Sequence, residues 1–594
     1  MVSMSGKLSN EVMDVIVKLT LKNAIEHDGK ALVKAVLSKL LGSFPELRSQ
    51  VKELEGIVSE VVSRINSMSL DEQVRLAKER YPEIFEEKET VPKVKTLPPL
   101  PNVEKYKEVR TRFAPNPDFL IHLGNARPAI LSYEYARMYN GKMILRFEDT
   151  DPRTKQPMPE AYSAIKEDLK WLGVRWDEEY IQSLRMELYY SVVRELIRVG
   201  GAYVDLCSKD EFMKYKMEMR PCPHRTASVE TNLELLDKIL SNYFKEGEAV
   251  IRVKTDLSHP DPSVRDWVAF RIVDTDKTPH PIVGSKYILW PTYNYAAGVD
   301  DHLMGVTHIL RGKEHMVNTV KQRYLYEHLG WVYPEVINLG RLRLEGFILS
   351  KSKIKELLKK FPKKFRSIDD IRFGTIASLR KRGIIPETIR KVILEVGVKV
   401  SDASISWENI AAINRKLIDP TTKRLMFVSH PPVKVFIRSI PSNLTRVSIP
   451  LHPTNKSLGS REITLDVING YTVVLLDKSD ADLLRGVGYI RLMEFMNIKY
   501  VSDTPEGVMA EFVSTELSDA KKVKAPIVHW VPHSRNTKVI IIRPKGLNLL
   551  KIRGYGEEYL KTLKTGDVIQ LVRYGFVKVD NVREDVIELV FIHE

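Results

Sequence analysis

The sequence predicts a multidomain protein: an α/β core with a parallel sheet, a helical domain before it and all-β barrels after it. Three observations lead to this fold class. The chain has 594 residues, enough for about four domains of ~150 residues. Strand-like and helix-like segments alternate after Arg112, and short β-rich segments dominate after about residue 420. These patterns place an α/β core between two regions of different class.

The first region, residues 1–95, is predicted to be a helical appendage. Residues 8–82 follow a helical pattern whose apolar stripe consists of Val51, Leu54, Ile57, Val58, Val61, Val62 and Ile65. The pattern ends near Tyr81 and Pro82, and a charged, proline-containing linker over 86–101 follows. The sequence assigns no chemistry to this appendage.

The core is predicted from a strand–helix alternation. Residues 131–139 and 161–172 have helical patterns, and the apolar run 143–147 is typical of a buried strand. Because parallel strands need a crossover connection, this succession predicts a parallel sheet with crossover helices. Residues 353–397 are again helical, and they are basic.

The last region, residues 419–594, is predicted to be all-β. It contains short segments rich in Val, Ile and Leu, separated by Gly, Pro and Asn: 446–449, 462–468, 471–476, 538–542, 567–572 and 585–592. Such spacing is typical of antiparallel barrels.

Composition excludes several classes of protein. Hydrophobic residues make up 43% and charged residues 28%, so collagen-like, mucin-like and wholly disordered chains are excluded. Two cysteines cannot form a disulfide framework. There is no run of about 18 apolar residues, and the first residues lack the apolar core of a secretory signal. We therefore expect a cytoplasmic protein that does not bind membranes.

The positive charge is concentrated in one segment. Residues 351–395 contain 14 Lys and Arg against 5 Asp and Glu, which is +9 of the net +15. A concentrated basic segment indicates a polyanionic partner such as nucleic acid. The alternative is a solvated helical face without a ligand.

Two segments carry residues suited to phosphate chemistry. In 112–127 a strand leads into Pro115-Asn116-Pro117, and His122-Leu123-Gly124-Asn125 then opens a helix, where N–H groups and the helix dipole favour an anion. His122 can donate to a phosphate oxygen, although a helix-capping histidine is the alternative. In 345–353 a glycine-containing loop presents Leu349-Ser350-Lys351-Ser352, where the lysine can act as a mobile cation or belong to an ordinary solvated loop.

Taken together, these segments, with Lys351 229 residues after His122, resemble the two signatures of the class I aminoacyl-tRNA synthetases, known as HIGH and KMSKS. Asn125 replaces the second histidine and Ile348 the first lysine. Residues 146–152 and 291–308 are similar to the glutamyl and glutaminyl group of that class. Residues 488–493, 527–531 and 571–576 resemble the β-barrel anticodon domains of its archaeal and eukaryotic branch.

The resemblance, over about 100–594, implies a Rossmann-like catalytic core in two halves, 96–200 and 286–352. It also implies an insertion for the tRNA acceptor end (201–285), a basic helical link (353–418) and anticodon-binding barrels (419–594). His122 and Lys351 are the expected catalytic residues. The expected ATP-binding residues are Pro115, Asn116, Pro117, His122, Leu123, Gly124 and Asn125 in the first signature, and Leu349, Ser350, Lys351 and Ser352 in the second.

The amino-acid pocket is expected to favour glutamate. In this group the glutamate enzymes carry an arginine where the glutamine enzymes carry an uncharged residue, and Arg311 occupies that place. A guanidinium can hold a γ-carboxylate with two hydrogen bonds, which a neutral amide does not match. The resemblance also implies Arg112 as a second carboxylate-binding residue, Glu148 as partner of the α-ammonium and Tyr293 as hydroxyl donor. A structural salt bridge is the alternative for Arg311, and a helix cap or surface pair for Glu148.

A metal site is a weaker candidate. Some relatives have Cys-x-Cys and Cys-x-His as a zinc knuckle, and the corresponding residues here are Asp205, Cys207, Cys222 and His224. Aspartate can ligate zinc, but this donor set is less usual. The alternative is two buried thiols without a metal.

The resemblance implies ATP-dependent activation of glutamate, with Mg²⁺, and its transfer to the terminal adenosine of tRNA(Glu). It leaves open whether tRNA(Gln) is also charged, and it names no protein partner. Three alternatives remain: a glutamine-specific enzyme, an adenylate-forming nucleotidylyltransferase without tRNA, and a non-catalytic RNA-binding relative.

Overall fold

The computed structural model describes residues 10–27, 29–44, 47, 50–84 and 97–594. The chain divides into two compact units, 1–96 and 97–594. Residues 8, 9, 28, 45, 46, 48 and 49 of the predicted helical segment and residues 86–96 of the predicted linker lie outside the described residues.

The first unit is helical, as the apolar stripe predicts. Leu54, Val58, Val62 and Ile65 of that stripe are buried in its core. Ser69 starts the fourth helix with a reciprocal cap, in which it accepts a hydrogen bond from the Glu72 N–H and the Glu72 carboxylate accepts one from the Ser69 N–H. The helices are α1 (Asn10–Glu26), α2 (Val33–Ser43), α3 (Val51–Asn66) and α4 (Leu70–Arg80).

The second unit begins with alternating strands and helices, which confirms the predicted α/β pattern. The buried run 143–147 lies within the second strand. These elements are β1 (Arg110–Phe113), α5 (Leu123–Met138), β2 (Lys142–Phe147), α6 (Pro159–Trp171), β3 (Glu178–Ile181) and α7 (Met186–Arg198).

The next segment forms a separate antiparallel sheet of four strands in the order β4-β5-β6-β7. Its own apolar core includes Trp290, Phe270 and Tyr190. The elements are β4 (Ala202–Asp205), α8 (Lys209–Met217), α9 (Val229–Leu240), β5 (Val250–Val253), β6 (Val268–Ile272) and β7 (Leu289–Pro291).

The chain then returns to the first sheet and continues into the basic helices. These elements are α10 (Tyr293–Leu303), β8 (His308–Gly312), α11 (Met316–Leu329), β9 (Glu335–Leu339), β10 (Leu342–Leu344), α12 (Lys351–Lys360), α13 (Ile376–Arg382), α14 (Pro386–Val396), β11 (Ala403–Ile405) and α15 (Trp407–Ile418).

The central sheet has the strand order β3-β2-β1-β8-β9, and all its pairs are parallel, as predicted. After β1 the chain forms β2 on one side of it, and it later returns to form β8 on the opposite side of β1. Parallel sheets bind ligands at the carboxyl ends of strands next to such a reversal. The fold therefore places the ends of β1, β2 and β8 around one opening.

The C-terminal region contains two barrel-like sheets of seven strands each. Its elements are β12 (Lys423–Leu425), β13 (Phe427–Ser429), β14 (Val433–Arg438), β15 (Arg446–Pro450), β16 (Ser460–Thr464), β17 (Thr472–Leu476), α16 (Lys478–Val487), β18 (Tyr489–Leu492), β19 (Asn497–Thr504), β20 (Gly507–Ser514), α17 (Leu517–Lys522), β21 (Ile527–Val528), β22 (Val531–Pro532), β23 (Asn536–Lys545), β24 (Asn548–Glu557), β25 (Val568–Leu571), β26 (Gly575–Val582) and β27 (Val586–His593).

One expectation for these sheets was wrong. The pairs β14–β20, β23–β27, β12–β25 and β18–β21 are parallel, so the sheets are mixed and not purely antiparallel. In each pair the two strands are separated along the chain by other elements, and that connection allows a parallel partner. Among the described residues, no helix is long and apolar enough to cross a membrane.

Candidate active site

A cavity of about 1020 Å³ lies at the carboxyl ends of β1, β2 and β8. It brings together residues that are far apart in sequence. Twelve of the predicted site residues line it: Arg112, Pro115, Asn116, His122, Gly124, Asn125, Glu148, Tyr293, Arg311, Leu349, Ser350 and Lys351. Pro117 and Leu123 are buried outside the lining, and Ser352 is exposed in the first turn of α12.

His122 is the N-cap residue of α5. The Gly124 N–H donates to His122 Nδ1 at 3.0 Å, and the His122 N–H donates to Asn125 Oδ1 at 3.2 Å. Because a backbone N–H can only donate, Nδ1 must be the acceptor and the proton of the neutral ring lies on Nε2. Burial lowers the pKa of His122 to about 4. The His122 side chain therefore caps the helix through Nδ1 and at the same time offers a neutral Nε2–H donor.

Because Gly124 has no Cβ atom, the backbone at this position can lie close to the His122 imidazole. A Cβ atom at Gly124 would lie 2.7 Å from His122 Cε1 and 2.9 Å from Nδ1. Both distances are shorter than a real contact, so a larger residue at this position displaces the imidazole.

Lys351 is the first residue of α12 and forms an ion pair with Asp118. The lysine side chain is 33% exposed and the aspartate side chain 10%. The loop before the helix is fixed to the following segment, because the Gly374 N–H donates to the Ile348 carbonyl at 3.0 Å. Sequence reasoning missed Asp118, although it directly follows Pro117 of the first signature.

Arg311 is buried at the end of β8, with 5% exposure. Its guanidinium donates to four neutral oxygens: Gln322 Oε1 at 3.1 Å, Thr319 Oγ1 at 2.7 Å, Tyr333 Oη at 3.1 Å and Tyr293 Oη at 3.4 Å. Its buried Nε has no acceptor, and within residues 97–594 it forms no ion pair. The alternative of a structural salt bridge is therefore not observed. A buried cation surrounded by neutral groups favours an anionic ligand.

Arg112 and Glu148 belong to a buried charge network. Asp301 Oδ1 accepts from Arg112 Nε at 3.2 Å and from Arg146 Nη1 at 2.9 Å. Arg146 Nη2 also donates to Glu148 Oε1 at 2.9 Å. Burial opposes ionisation of Asp301, but the guanidiniums of Arg112 and Arg146 outweigh it and lower its pKa. Sequence reasoning missed Asp301, which holds Arg112 beside the cavity.

Tyr293 lies beside a histidine that sequence reasoning also missed. The two rings of Tyr293 and His315 have centroids 5.2 Å apart, and both residues line the cavity. Burial, with a further contribution from the Arg311 charge, lowers the pKa of His315 to about 4. The imidazole is therefore neutral near pH 7, and it adds no positive charge to the Arg311 pocket.

The four candidate metal ligands come together outside this cavity. His224 Nδ1 lies 3.1 Å from Asp205 Oδ1 and 3.4 Å from Cys207 Sγ, and Cys222 Sγ lies 3.7 Å from Asp205 Oδ1. The second carboxylate oxygen, Asp205 Oδ2, accepts from Arg252 Nε at 2.6 Å. The cluster lies at the end of β4.

Comparison with known proteins covers almost the whole chain. A family model for the catalytic domain of class I tRNA synthetases (E and Q) matches residues 108–420, and two models for their anticodon-binding domains match 422–518 and 527–580. A solved glutamate tRNA ligase from Elizabethkingia meningosepticum, in complex with its amino acid, aligns at a TM-score of 0.38. It is 23% identical and covers 52% of this chain and 70% of that chain.

Three curated relatives match nearly the full length of this chain. The glutamate–tRNA ligase of Hyperthermus butylicus is 55% identical over 95% of this chain and 97% of its own length. Those of Ignicoccus hospitalis and Staphylothermus marinus are 52% and 49% identical, over 98% and 96% of this chain and all of their own. The chain therefore belongs to the class I tRNA synthetases of the glutamyl and glutaminyl group and, within it, to the family of these archaeal glutamate–tRNA ligases.

Proposed function

We propose that this protein is a glutamate–tRNA ligase, which activates glutamate with ATP and transfers it to tRNA(Glu). One observation carries the proposal. The buried guanidinium of Arg311 lines the same cavity as His122 and Lys351 and has no carboxylate partner of its own within residues 97–594. A glutamate γ-carboxylate supplies that partner, whereas the neutral amide of glutamine leaves the buried charge uncompensated at a cost of several kcal/mol.

In the first step, an oxygen of the glutamate α-carboxylate attacks the α-phosphorus of ATP. The new bond is the acyl–phosphate linkage of glutamyl-adenylate, and the bond to pyrophosphate breaks. Arg311 and Tyr293 orient the side chain, and Glu148 accepts from the α-ammonium. The reaction needs no side-chain nucleophile, because it depends on positioning and on stabilisation of phosphate charge.

The phosphate charge is stabilised by groups on two segments. The neutral His122 ring donates from Nε2, and the first N–H groups of α5 add the positive end of a helix dipole. Lys351 exchanges its partner Asp118 for phosphate oxygens. Aminoacyl-tRNA synthetases use ATP with Mg²⁺, and this ion, carried on phosphate oxygens and water, neutralises further charge there.

In the second step, the 2′-hydroxyl of the terminal tRNA adenosine attacks the acyl carbon of the adenylate. The ester bond forms, the acyl–phosphate bond breaks and AMP leaves. We assign the sheet of β4 to β7 to binding of the acceptor end, the basic helices of 353–418 to the tRNA stem and the two C-terminal sheets to the anticodon. Single-stranded bases with splayed edges are the usual targets of such RNA recognition.

We propose that a zinc ion is bound by four side chains, those of Asp205, Cys207, Cys222 and His224. Three of the separations between their ligand atoms are 3.1, 3.4 and 3.7 Å, close to the edge of a tetrahedron with bonds of about 2.0–2.3 Å, and all four atoms lie within 4.8 Å of one another. Arg252 donates to Asp205 Oδ2, whereas Asp205 Oδ1, which also accepts from the Cys207 N–H at 3.0 Å, is the oxygen nearest His224. Elemental analysis of the purified protein should find about one zinc per chain, lost in Cys222→Ser and retained in the control His259→Gln. A zinc-free wild-type protein, after growth with added zinc, contradicts this assignment.

The function is tested by charging tRNA(Glu) and tRNA(Gln) transcripts with labelled glutamate. We expect the wild-type protein to charge tRNA(Glu), and the Lys351→Ala variant to lose about 100-fold in kcat. Lys170→Ala, which removes an exposed lysine of α6 outside the cavity and outside the helices assigned to the tRNA stem, serves as control and should keep the wild-type rate. Absence of charging by the wild-type protein contradicts the proposal, and the tRNA(Gln) arm decides whether that tRNA is a second substrate.

A further inference from the structure

A second cavity, of about 680 Å³, lies between α15 and the last strand of the C-terminal sheet. Its size falls within the range of about 300–1,000 Å³ that small-molecule sites occupy. Helix α15 lines it with one face, on which Trp407, Ala411 and Arg415 follow each other at four-residue spacing. From the other side, Arg543 and Phe591 complete the wall.

The cavity is rich in cations that lack a counter-ion. Arg415 and Lys416 are exposed in the lining, and within residues 97–594 neither forms an ion pair. Arg543 is paired with Glu594 at 2.9 Å. The other lining carboxylates are Asp419, which is paired with Arg424 at 3.1 Å, and Glu408, which is exposed. The lining therefore has three cations and three carboxylates, but two of the carboxylates are already paired, which leaves Arg415 and Lys416 with Glu408 alone as an unpaired carboxylate within residues 97–594.

Behind this wall lies a buried guanidinium. Arg382 is 6% exposed, its Nε has no hydrogen-bond acceptor, and within residues 97–594 it forms no ion pair. It stacks on the Trp407 ring at 3.8 Å from the centroid. Burial, together with the Arg543 charge, lowers the pKa of Arg382 to about 9. Such an arrangement of like charges costs free energy until an anion compensates it.

The cavity has an aromatic part and a positively charged part, which lie at different places along the helix. Trp407 supplies an aromatic wall at one end of the helix face, and Arg415 and Lys416 supply charge two turns further on. Between them, Ala411 and Ala412 have small side chains that leave the space open. An aromatic surface beside cations is the combination that binds a base and its phosphate in single-stranded nucleic acid.

We infer that this cavity binds one nucleotide of the bound tRNA, with its phosphate on Arg415 and Lys416 and its base toward Trp407. The inference rests on the proposed function, because it assumes tRNA as the substrate. It adds a binding site at the junction of the helical link and the last β-sheet, apart from the catalytic cavity. A free mononucleotide has the same chemistry and must be distinguished by experiment.

The test measures the Kd of a tRNA(Glu) transcript for the full chain over a series of salt concentrations. The double variant Arg415→Ala/Lys416→Ala should raise Kd about tenfold at 0.1 M salt and lower the slope of log Kd against log salt by about one to two. The matched control Lys105→Ala/Lys107→Ala removes the same charge from exposed positions outside the cavity and outside the segments assigned to tRNA, and it should bind as the wild type does.

A second variant tests whether the open space of the cavity, and not only its positive charge, is needed to bind tRNA. Ala412→Trp fills the cavity without changing its charge, and it should also raise Kd for the tRNA by several-fold. AMP and inorganic phosphate are titrated in parallel by calorimetry. Wild-type affinity in both cavity variants, or equal losses in cavity and control variants, overturns the inference. AMP binding that is lost in the variants while tRNA binding is unchanged overturns the RNA assignment. If the wild-type protein does not bind tRNA, the proposed function itself fails.

Discussion

The ammonium group of Lys351 and the carboxylate of Asp118 form an ion pair across 233 residues of sequence. Lys351 lines the candidate active-site cavity, and Asp118 follows the proline pair of the first signature. We therefore expect a phosphate group that binds Lys351 to compete with this carboxylate. ATP binding would then weaken an ion pair between the segment after β1 and the start of α12.

Asp118→Asn removes the competing charge, and we expect the KM for ATP to fall about two- to fivefold with kcat within twofold of wild type. That range corresponds to the modest free energy of a partly exposed ion pair. Steady-state aminoacylation at varied ATP concentration measures both constants. Asp369→Asn, which removes the partner of exposed Lys381, is the control. A loss of kcat as large as that of Lys351→Ala shows instead that Asp118 positions the lysine for reaction.

The pH dependence of the reaction tests the state of His122. Because burial lowers its pKa to about 4, the ring gains a proton only as the pH falls toward 4, and it remains a neutral Nε2–H donor above pH 6. We therefore expect the ratio of kcat/KM for ATP between wild type and His122→Asn to stay constant from pH 6 to 8.5. A change in this ratio centred near pH 6.5 contradicts a neutral His122.

Gly124→Ala tests the position of the same ring. Its Cβ atom would lie 2.7 Å from His122 Cε1, so the imidazole must move, and we expect kcat to fall about 10- to 100-fold. Stability should change little, because the helix propensity gained by alanine, about 1 kcal/mol, offsets the loss of the His122 cap, about 0.5–2 kcal/mol. Gly56→Ala, where the new Cβ meets no other atom of the described residues within 4 Å outside its own helix backbone, should leave kcat unchanged. An unchanged kcat in Gly124→Ala shows that the ring position is not critical.

The burial of Asp168 in α6 leads us to expect that the stability of the fold depends on pH. Both of its carboxylate oxygens are buried and have no hydrogen-bond partner within residues 97–594, and Arg380 Nη2 lies 3.5 Å away. Burial raises the pKa of Asp168 to about 7, an effect that the Arg380 charge reduces. A carboxyl group with a raised folded-state pKa binds protons more tightly when folded, so it destabilises the fold as the pH rises from about 4 to 7.

Asp168→Asn should therefore raise the apparent Tm at pH 8 and have little effect at pH 4. A shift of about 3 pKa units corresponds to at most about 4 kcal/mol. Thermal unfolding of both proteins across this pH range gives the comparison. If Asn lowers the Tm at pH 8, the ion pair with Arg380 outweighs the cost of burial.

Residues whose chemistry depends on their own type and local spacing could be predicted from the sequence. His122 and Lys351 line one cavity because the N-terminus of α5 and the N-terminus of α12 meet at the carboxyl edge of the parallel sheet. The alternation of strands and helices was sufficient to predict that sheet. The apolar stripe of α3 was likewise sufficient to predict its buried face.

Hydrogen-bond partners and strand neighbours that are distant in sequence could not be predicted in this way, because only the tertiary fold brings them together. Asp301 lies within a segment that resembles the family, but only the structure shows that it accepts from both Arg112 and Arg146. The parallel pairing of β14 with β20 was missed for the same reason, because alternation along a strand predicts its buried face and not the identity or direction of its neighbour.

The most direct test of the central claim compares glutamate and glutamine as substrates for the wild-type protein and for Arg311→Gln. The expected result is that wild type charges tRNA(Glu) with labelled glutamate and not with glutamine. In the variant, kcat/KM for glutamate should fall at least 100-fold, since a charge-assisted pair with the γ-carboxylate is lost. Charging with glutamine by the wild-type protein, or an unchanged kcat/KM for glutamate in Arg311→Gln, would contradict the assignment of Arg311 as the residue that selects glutamate.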